Sequence, residues 1–323
     1  MFNLVIEMER KLLKISVLIL MLAMICIATQ AEDSNNSRLK LVTTTSLHDT
    51  GLLDVIKQKF EEKYNNVSLD VISVGTGIAI QYGERGDADV LLIHDKTREV
   101  KFVKDGHGLE RRCVAYNYFN IVGPKDDPAG IKGLNATAAF KNIFQKGKAD
   151  PTKVMFVSRG DGSGTHSKEQ ALWKVTGYNY SNQVNNTSAN RWYLEAGSGM
   201  GATLMMTNEK SAYTLTDTST FMAYNSTYKG NFTLVPLVES TIDLLNVYTA
   251  IAENPKKHPG VNCEMANKFI NFLVSEEGQK LVGGYGMDKF GKALFFPAKG
   301  NCTLIGCSLG ECAVPTDASC AAA

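Results

Sequence analysis

Residues Ser158 to His166 read Ser-Arg-Gly-Asp-Gly-Ser-Gly-Thr-His. Three glycines in this run let the backbone approach a ligand closely and adopt positive φ. Hydroxyls from Ser163 and Thr165, together with main-chain N–H groups, suit oxygen acceptors. Arg159 adds a permanent cation with a planar fork of donors. The chemistry these types can do together is to hold an anion. An apolar strand, Val154 to Val157, runs into the loop, and a helical segment from Ser167 to Val175 runs out of it. A helix N-terminus at that place favours negative charge through its unpaired N–H groups and its dipole.

Other chemistries fit these residues less well. Ser163 and His166 form a dyad on paper, which gives the alternative of an extracellular hydrolase or transferase. No nucleophile elbow and no general base with a third partner accompany them. Arg159-Gly160-Asp161 is also an adhesion tripeptide, but it follows an apolar strand directly. Gly197-x-Gly199-x-Gly201 lacks the spacing of a dinucleotide fingerprint, and no P-loop occurs. The five histidines, His48, His94, His107, His166 and His258, show no metal-ligand spacing. No catalytic residue, metal or cofactor is expected.

The chain has 323 residues, a formal net charge of +1, 44% hydrophobic residues and 21% charged residues. A near-neutral balance argues against a nucleic-acid partner, which calls for a basic face. Residues 1–31 read as a signal peptide: Arg10, Lys11 and Lys14 precede an apolar run from Ile15 to Ala28, and Thr29-Gln30-Ala31 supplies a cleavage site. Met8 is an alternative start, and a retained N-terminal anchor the alternative fate. An extracytoplasmic protein, in the periplasm or on the cell surface, is therefore expected. Nine glycosylation sequons, at Asn35, Asn66, Asn135, Asn179, Asn185, Asn186, Asn225, Asn231 and Asn301, agree with export. Six cysteines follow the signal: Cys113, Cys263, Cys302, Cys307, Cys312 and Cys320. Outside the cell an even number favours disulfides, whose pairing the sequence leaves open. Cys320-Ala321-Ala322-Ala323 imitates a prenylation box, an accident on an exported chain.

The elements that position the loop alternate between strand and helix. Leu41-Val42 opens a strand that stops at Thr43-Thr44-Thr45-Ser46, and Leu52, Leu53, Ile56 and Phe60 then fall on one helical face, with Asp49 or Thr50 as a cap. Val67, Leu69 and Val71 alternate as a strand that ends at Gly75-Thr76-Gly77, before a short helix and the buried run Ala88 to Ile93. Such βαβα order implies a parallel sheet with ligands outside the carboxyl ends of its strands. Two longer strand patterns, Val114–Val122 and Leu244–Ala252, predict a hinge between two lobes.

Four segments together resemble the tungstate-binding proteins of ABC uptake systems, members of the type II periplasmic binding proteins. They are Thr43 to Ser46 with Asp49 to Leu53; Ser158 to His166 with Lys168-Glu169 and Leu172-Trp173; Glu195 to Gly201; and Ala212 to Asp217. Asp89 to His94 and Tyr116 to Pro124 fit as well. The likeness covers roughly residues 40–298 and departs at Gly162, where members usually carry an acid. It implies a two-lobed α/β fold with two mixed sheets and a two-strand hinge: lobe 1 over residues 38–117 and 248–300, lobe 2 over 118–247, and a cysteine-bearing tail over 301–323. It further implies a monomer that closes on tungstate or molybdate and presents it to an ABC permease and its ATPase. Sulfate and phosphate are alternatives of the same class. By motif, Thr44, Thr45, Ser46 and Thr76 would donate from one lobe, and Arg159, Ser163, Gly164, Thr165 and Gly201 from the other. Asp161 is expected to turn away from the anion and to orient Arg159 or cap backbone N–H groups.

Overall fold

The structure, a computed structural model, describes residues 37–185, 190–228, 230–314 and Cys320. The expected signal peptide and the sequons at Asn35 and Asn186 lie outside the described residues. Among the described residues there are ten strands: β1 (Ser37–Thr44), β2 (Val67–Val74), β3 (Val90–Ile93), β4 (Gly108–Gly123), β5 (Phe156–Ser158), β6 (Tyr193–Glu195), β7 (Thr214–Asp217), β8 (Val235–Val238), β9 (Leu245–Glu253) and β10 (Phe296–Pro297). The first sheet has the order β10-β4-β9-β3-β1-β2. β1 runs parallel to β2 and β3, while β9 is antiparallel to β3 and β4. The mixture follows from the connections. Helices return the chain between β1, β2 and β3, whereas β9 arrives from the other lobe.

β4 belongs to both lobes. Its residues Gly108 to Tyr118 pair with β9, and Phe119 to Gly123 pair with β7 and β8. A parallel β5–β6 pair joins that second sheet through a bridge between Phe156 and Tyr213. β9, the other strand of the hinge, stays within the first sheet. The chain reaches it from β8 by the 3-10 turn Ile242–Leu244.

Each lobe has its own apolar centre. In the first, Leu39, Leu41, Ile56 and Phe60 meet Phe269 and Phe272 from the helix Cys263–Val274. In the second, Phe140, Phe156, Trp173, Trp192, Tyr193 and Tyr213 pack together. Each such side chain contributes on the order of 2–3 kcal/mol on burial, so each half is held together by a core of its own. Helix starts are fixed by local side chains: Asn135, Ser163, Asp217, Asn262 and Ser275 each accept from an N–H in the first turn. Thr50 plays a related part, its hydroxyl accepting from Leu52 N at 3.3 Å before the helix Leu52–Lys63.

Three disulfides close the molecule: Cys113–Cys307, Cys263–Cys320 and Cys302–Cys312. The even spacing of Cys302, Cys307 and Cys312 is thus divided between two bridges, and the tail is pinned to β4 at Cys113. Among the described residues no helix is long and apolar enough to cross a membrane.

Candidate anion-binding site

β1 ends at Thr44, and the chain turns at once into the helical turn Thr45–Asp49. Thr44 and Ser46 are buried, with their hydroxyl oxygens 3.4 Å apart. From the other lobe, β5 ends at Ser158 and delivers Arg159 to the same space, where only 2% of its surface is exposed. Arg159 Nη2 donates to Asp161 Oδ2 at 2.5 Å and to Thr45 Oγ1 at 3.4 Å.

The loop around Arg159 is fastened by its own side chains. Ser158 Oγ donates to the buried Glu169 at 2.5 Å and accepts from Gly160 N at 3.1 Å. Asp161 Oδ1 accepts from Ser163 N, His166 Nδ1 accepts from Gly162 N, and Ser163 Oγ caps His166 N. Three loop N–H groups that sequence reasoning turns toward a ligand therefore hold the loop in shape. Side-chain donors remain. Arg159 Nε and Thr165 Oγ1 are both buried, and neither has a hydrogen-bond partner among the described residues. A buried donor left unpaired costs about 1–3 kcal/mol, so both are suited to an incoming acceptor.

Two helices from opposite lobes face one another at this point, Thr76–Arg85 and Gly164–Thr176. Gly164 N donates to Thr76 Oγ1 at 3.2 Å, which leaves the Thr76 hydroxyl proton free to donate in turn. Arg98 Nη1 reaches Gly162 O at 2.5 Å across the same gap. The approach needs glycine on both sides. A Cβ on Gly77 would lie 3.1 Å from Gly162 O, and one on Gly164 would lie 2.8 Å from His94 Cε1. Two positive helix ends and a buried guanidinium repel each other, and an anion between them removes that cost. An adjoining cavity of about 670 Å³ is lined by Lys96, Arg98, Arg111, Lys168 and Lys174 against the one acid Asp95.

Behind Ser46 lies a polar chain that the sequence did not disclose. His94 Nδ1 is 2.8 Å from Asn246 Oδ1, and Asn246 Nδ2 donates to Asn117 Oδ1 at 2.8 Å and to Tyr248 OH at 3.0 Å. Asn246 thus presents its oxygen to His94, which fixes the proton on Nδ1 and leaves Nε2 bare, 3.5 Å from Ser46 Oγ. Burial, with the charge of Arg159 adding, holds His94 down to about 4, so the ring is neutral at pH 7. Asn117 Nδ2 continues to Ser219 Oγ at 2.7 Å, and Ser219 to Leu294 O at 2.6 Å. Asp217, fully buried, caps Thr220 N through Oδ1 while Oδ2 has no partner among the described residues; burial raises its carboxyl.

Of the residues singled out from sequence, Thr44, Thr45, Ser46, Thr76, Arg159, Ser163, Gly164 and Thr165 meet where the lobes touch. Gly201 stands apart at the start of the helix Met200–Glu209, with the hydroxyl of Tyr224 filling the space beside its Cα. Sequence reasoning missed His94, Asn246 and Tyr224. Only His94, closing the buried run Val90 to Ile93, stood where a strand end could have flagged it.

Two halves on a shared strand, meeting over a buried donor-rich gap, have the architecture of a clamshell binding protein. A profile of the PBP superfamily domain matches residues 29–277. The putative ABC transporter anion-binding protein of Haloferax volcanii is 41% identical over 83% of this chain and 74% of its own length. The tungstate-binding protein TupA of Peptoclostridium acidaminophilum is 39% identical over 89% of this chain and 98% of its own. The crystal structure of the tungstate ABC transporter from Geobacter sulfurreducens shares 47% identity at a TM-score of 0.65, over 77% of this chain and 98% of that one. The chain belongs to the PBP superfamily. It is an extracytoplasmic binding protein of an ABC transporter and not an enzyme.

Proposed function

We propose that this protein captures tungstate between its lobes and passes it to the permease and ATPase of an ABC transporter. The observation that carries the reading is Arg159, only 2% exposed, whose Nε, like the buried hydroxyl of Thr165, has no hydrogen-bond partner among the described residues. Thr44, Thr45, Ser46 and Thr76 would donate from lobe 1, and Arg159, Thr165, Ser163 and Gly164 from lobe 2. Gly201 would contribute after Tyr224 moves. Tungstate and molybdate offer only acceptors at neutral pH, which matches a set composed of donors. The named relatives of similar sequence support tungstate, and molybdate is the alternative because it offers the same set of acceptors. The lobe limits at residues 117/118 and 247/248, a monomeric state and a cleaved signal over residues 1–31 complete the proposal.

Phosphate is a second reading with one observation in its favour. Asp217 is a buried acceptor within electrostatic reach of Arg159, and a proton-bearing anion needs such a partner. Calorimetry with tungstate, molybdate, sulfate and phosphate separates the readings. Tight, saturable tungstate binding that phosphate does not displace is expected. Absence of heat with tungstate and molybdate up to millimolar levels refutes the proposal, and phosphate binding lost in Asp217→Asn replaces it with the second.

A further inference from the structure

Behind the Arg159 loop, inside lobe 2, lies Glu169, buried and bonded by three neutral donors of the same lobe. Ser158 Oγ donates to Oε2 at 2.5 Å, while Trp173 Nε1 and Tyr193 OH donate to Oε1 at 3.0 and 2.8 Å. Burying a carboxyl with no cation against it is costly, so this acid calls for a use beyond packing. Both sides of the arrangement return to the loop. On one side, Ser158 Oγ also accepts from Gly160 N at 3.1 Å. On the other, Tyr193 OH lies 2.9 Å from Tyr180 OH, and Tyr180 OH lies 2.7 Å from His166 Nε2. His166 Nδ1 accepts from Gly162 N at 3.0 Å. That bond leaves the proton of the neutral imidazole on Nε2, which donates to Tyr180. The protons on both sides therefore run toward Glu169, and the loop is held at Gly160 and at Gly162 by one acceptor.

We propose that Glu169 is a positioning residue that sets the size of anion accepted, by keeping the N–H groups of Gly160 and Gly162 bonded inside lobe 2 and away from the ligand. The inference rests on the reading of the cleft as an oxyanion site. Gly160 and Gly162 have φ of 61° and 69°, and runs of amides in such conformations form concave nests that close on small anions. Here the nest is already occupied: Gly160 N and Gly162 N are bonded as above, and Ser163 N donates to Asp161 Oδ1. The loop therefore meets its ligand through the side chains of Arg159 and Thr165. Side chains reach further from the backbone than amides do, which leaves room for a large oxyanion such as tungstate. Once released, the amides could close on sulfate, which is smaller.

The test is calorimetry with tungstate and with sulfate at pH 8, above the value of about 7 to which burial pushes this carboxyl. Amide exchange of the ligand-free loop, followed by mass spectrometry, is the second readout. Glu169→Gln sets a donor against Ser158 Oγ, and Ser158→Ala, which keeps the test open should Glu169→Gln fold poorly, removes the acceptor of Gly160 N outright. Both should speed exchange across residues 158–166 and lower the ratio of tungstate to sulfate affinity, each by about tenfold, the scale of one hydrogen bond to a charged group. A merely structural loss would weaken both anions alike, so a ratio within about threefold of wild type in both variants overturns the selectivity role. Unchanged exchange in both variants overturns the positioning role. That readout needs no ligand, so it stands even where the wild type takes up no tungstate, a result that would refute the oxyanion reading by itself.

Discussion

The N–H of Gly164 donates to the hydroxyl of Thr76 at 3.2 Å, joining facing helix ends that belong to different lobes. With Arg98 on Gly162 O and Arg159 on Thr45 Oγ1, it describes a closed arrangement in which the lobes touch through polar groups. A ligand that bridges the same groups favours this state by its differential affinity for it.

Gly164→Ala tests the contact. The added Cβ would meet His94 Cε1 at 2.8 Å and His94 O at 3.0 Å, and relief of such crowding costs about 1–3 kcal/mol. Tungstate affinity measured by calorimetry should drop about tenfold or more, while the melting temperature without ligand stays near that of the wild type. Unchanged affinity would mean that closure does not press on Gly164.

Arg159→Ala removes the buried cation and should cost about 2–5 kcal/mol in binding. Arg159→Lys should also bind weakly, because an ammonium does not reproduce the planar fork. Calorimetric constants within threefold of wild type for both variants would place Arg159 outside the contact with ligand.

Asp161 accepts from Arg159 Nη2 and from Ser163 N, so both its oxygens are engaged in aiming the loop. Asp161→Asn should weaken tungstate by less than about 2 kcal/mol, near the value of a lost charge-assisted bond, and should leave phosphate exclusion intact in a competition titration. Strong phosphate binding in the wild type that disappears in Asp161→Asn would contradict the ligand assignment.

The Arg159 loop was legible because its signals are local: an apolar strand, closely spaced glycines and a capping serine within a dozen residues. The terminal residues of β1 were legible for the same reason. The partners of His94 were not, since Asn246 lies 152 residues away and no periodicity links them. β10 has two residues, too few to alternate, and its place beside β4 depends on Phe296 pairing with Tyr116. Cysteine spacing left the pairing open, because proximity in space and not in sequence sets Cys113 against Cys307. The length of β4 was partly visible, but its membership in two sheets was not. Asn117, a polar residue inside the apolar pattern Val114–Val122, is a hydrogen-bonding member of the strand.

Acid should destabilise the fold through His94. Its folded value of about 4 lies below the ordinary imidazole value of 6.5, so the unfolded chain binds a proton that the folded chain refuses. Stability is therefore present above 6.5 and lost as pH falls toward 4, by about 2 kcal/mol at pH 5. Buried Glu99 and Glu169, both pushed up to about 7, titrate with the opposite sign. The measurable quantity is thus the difference between wild type and His94→Asn in urea unfolding from pH 7 to 5; identical slopes would refute it.

Replacing Cys113 and Cys307 together by serine opens a loop of 194 residues. The chain-entropy scale puts the loss near 5 kcal/mol at most. Urea unfolding should show a loss of several kcal/mol, with tungstate affinity changed little because the donors gathered at the lobe contact lie on other segments of the chain.

Because β4 passes without interruption from one sheet to the other, relative rotation of the lobes has to be taken up as added twist in a single strand, next to Tyr118 and Phe119 where its partners change. The side chains placed there are amides and a hydroxyl, Asn117, Asn246 and Ser219. Hydrogen bonds among such groups can exchange partners during rotation, whereas an interdigitated apolar core would have to be pulled apart. A rotation of the lobes would therefore have its direction set by the chain itself, and polar residues at the axis would keep its barrier low.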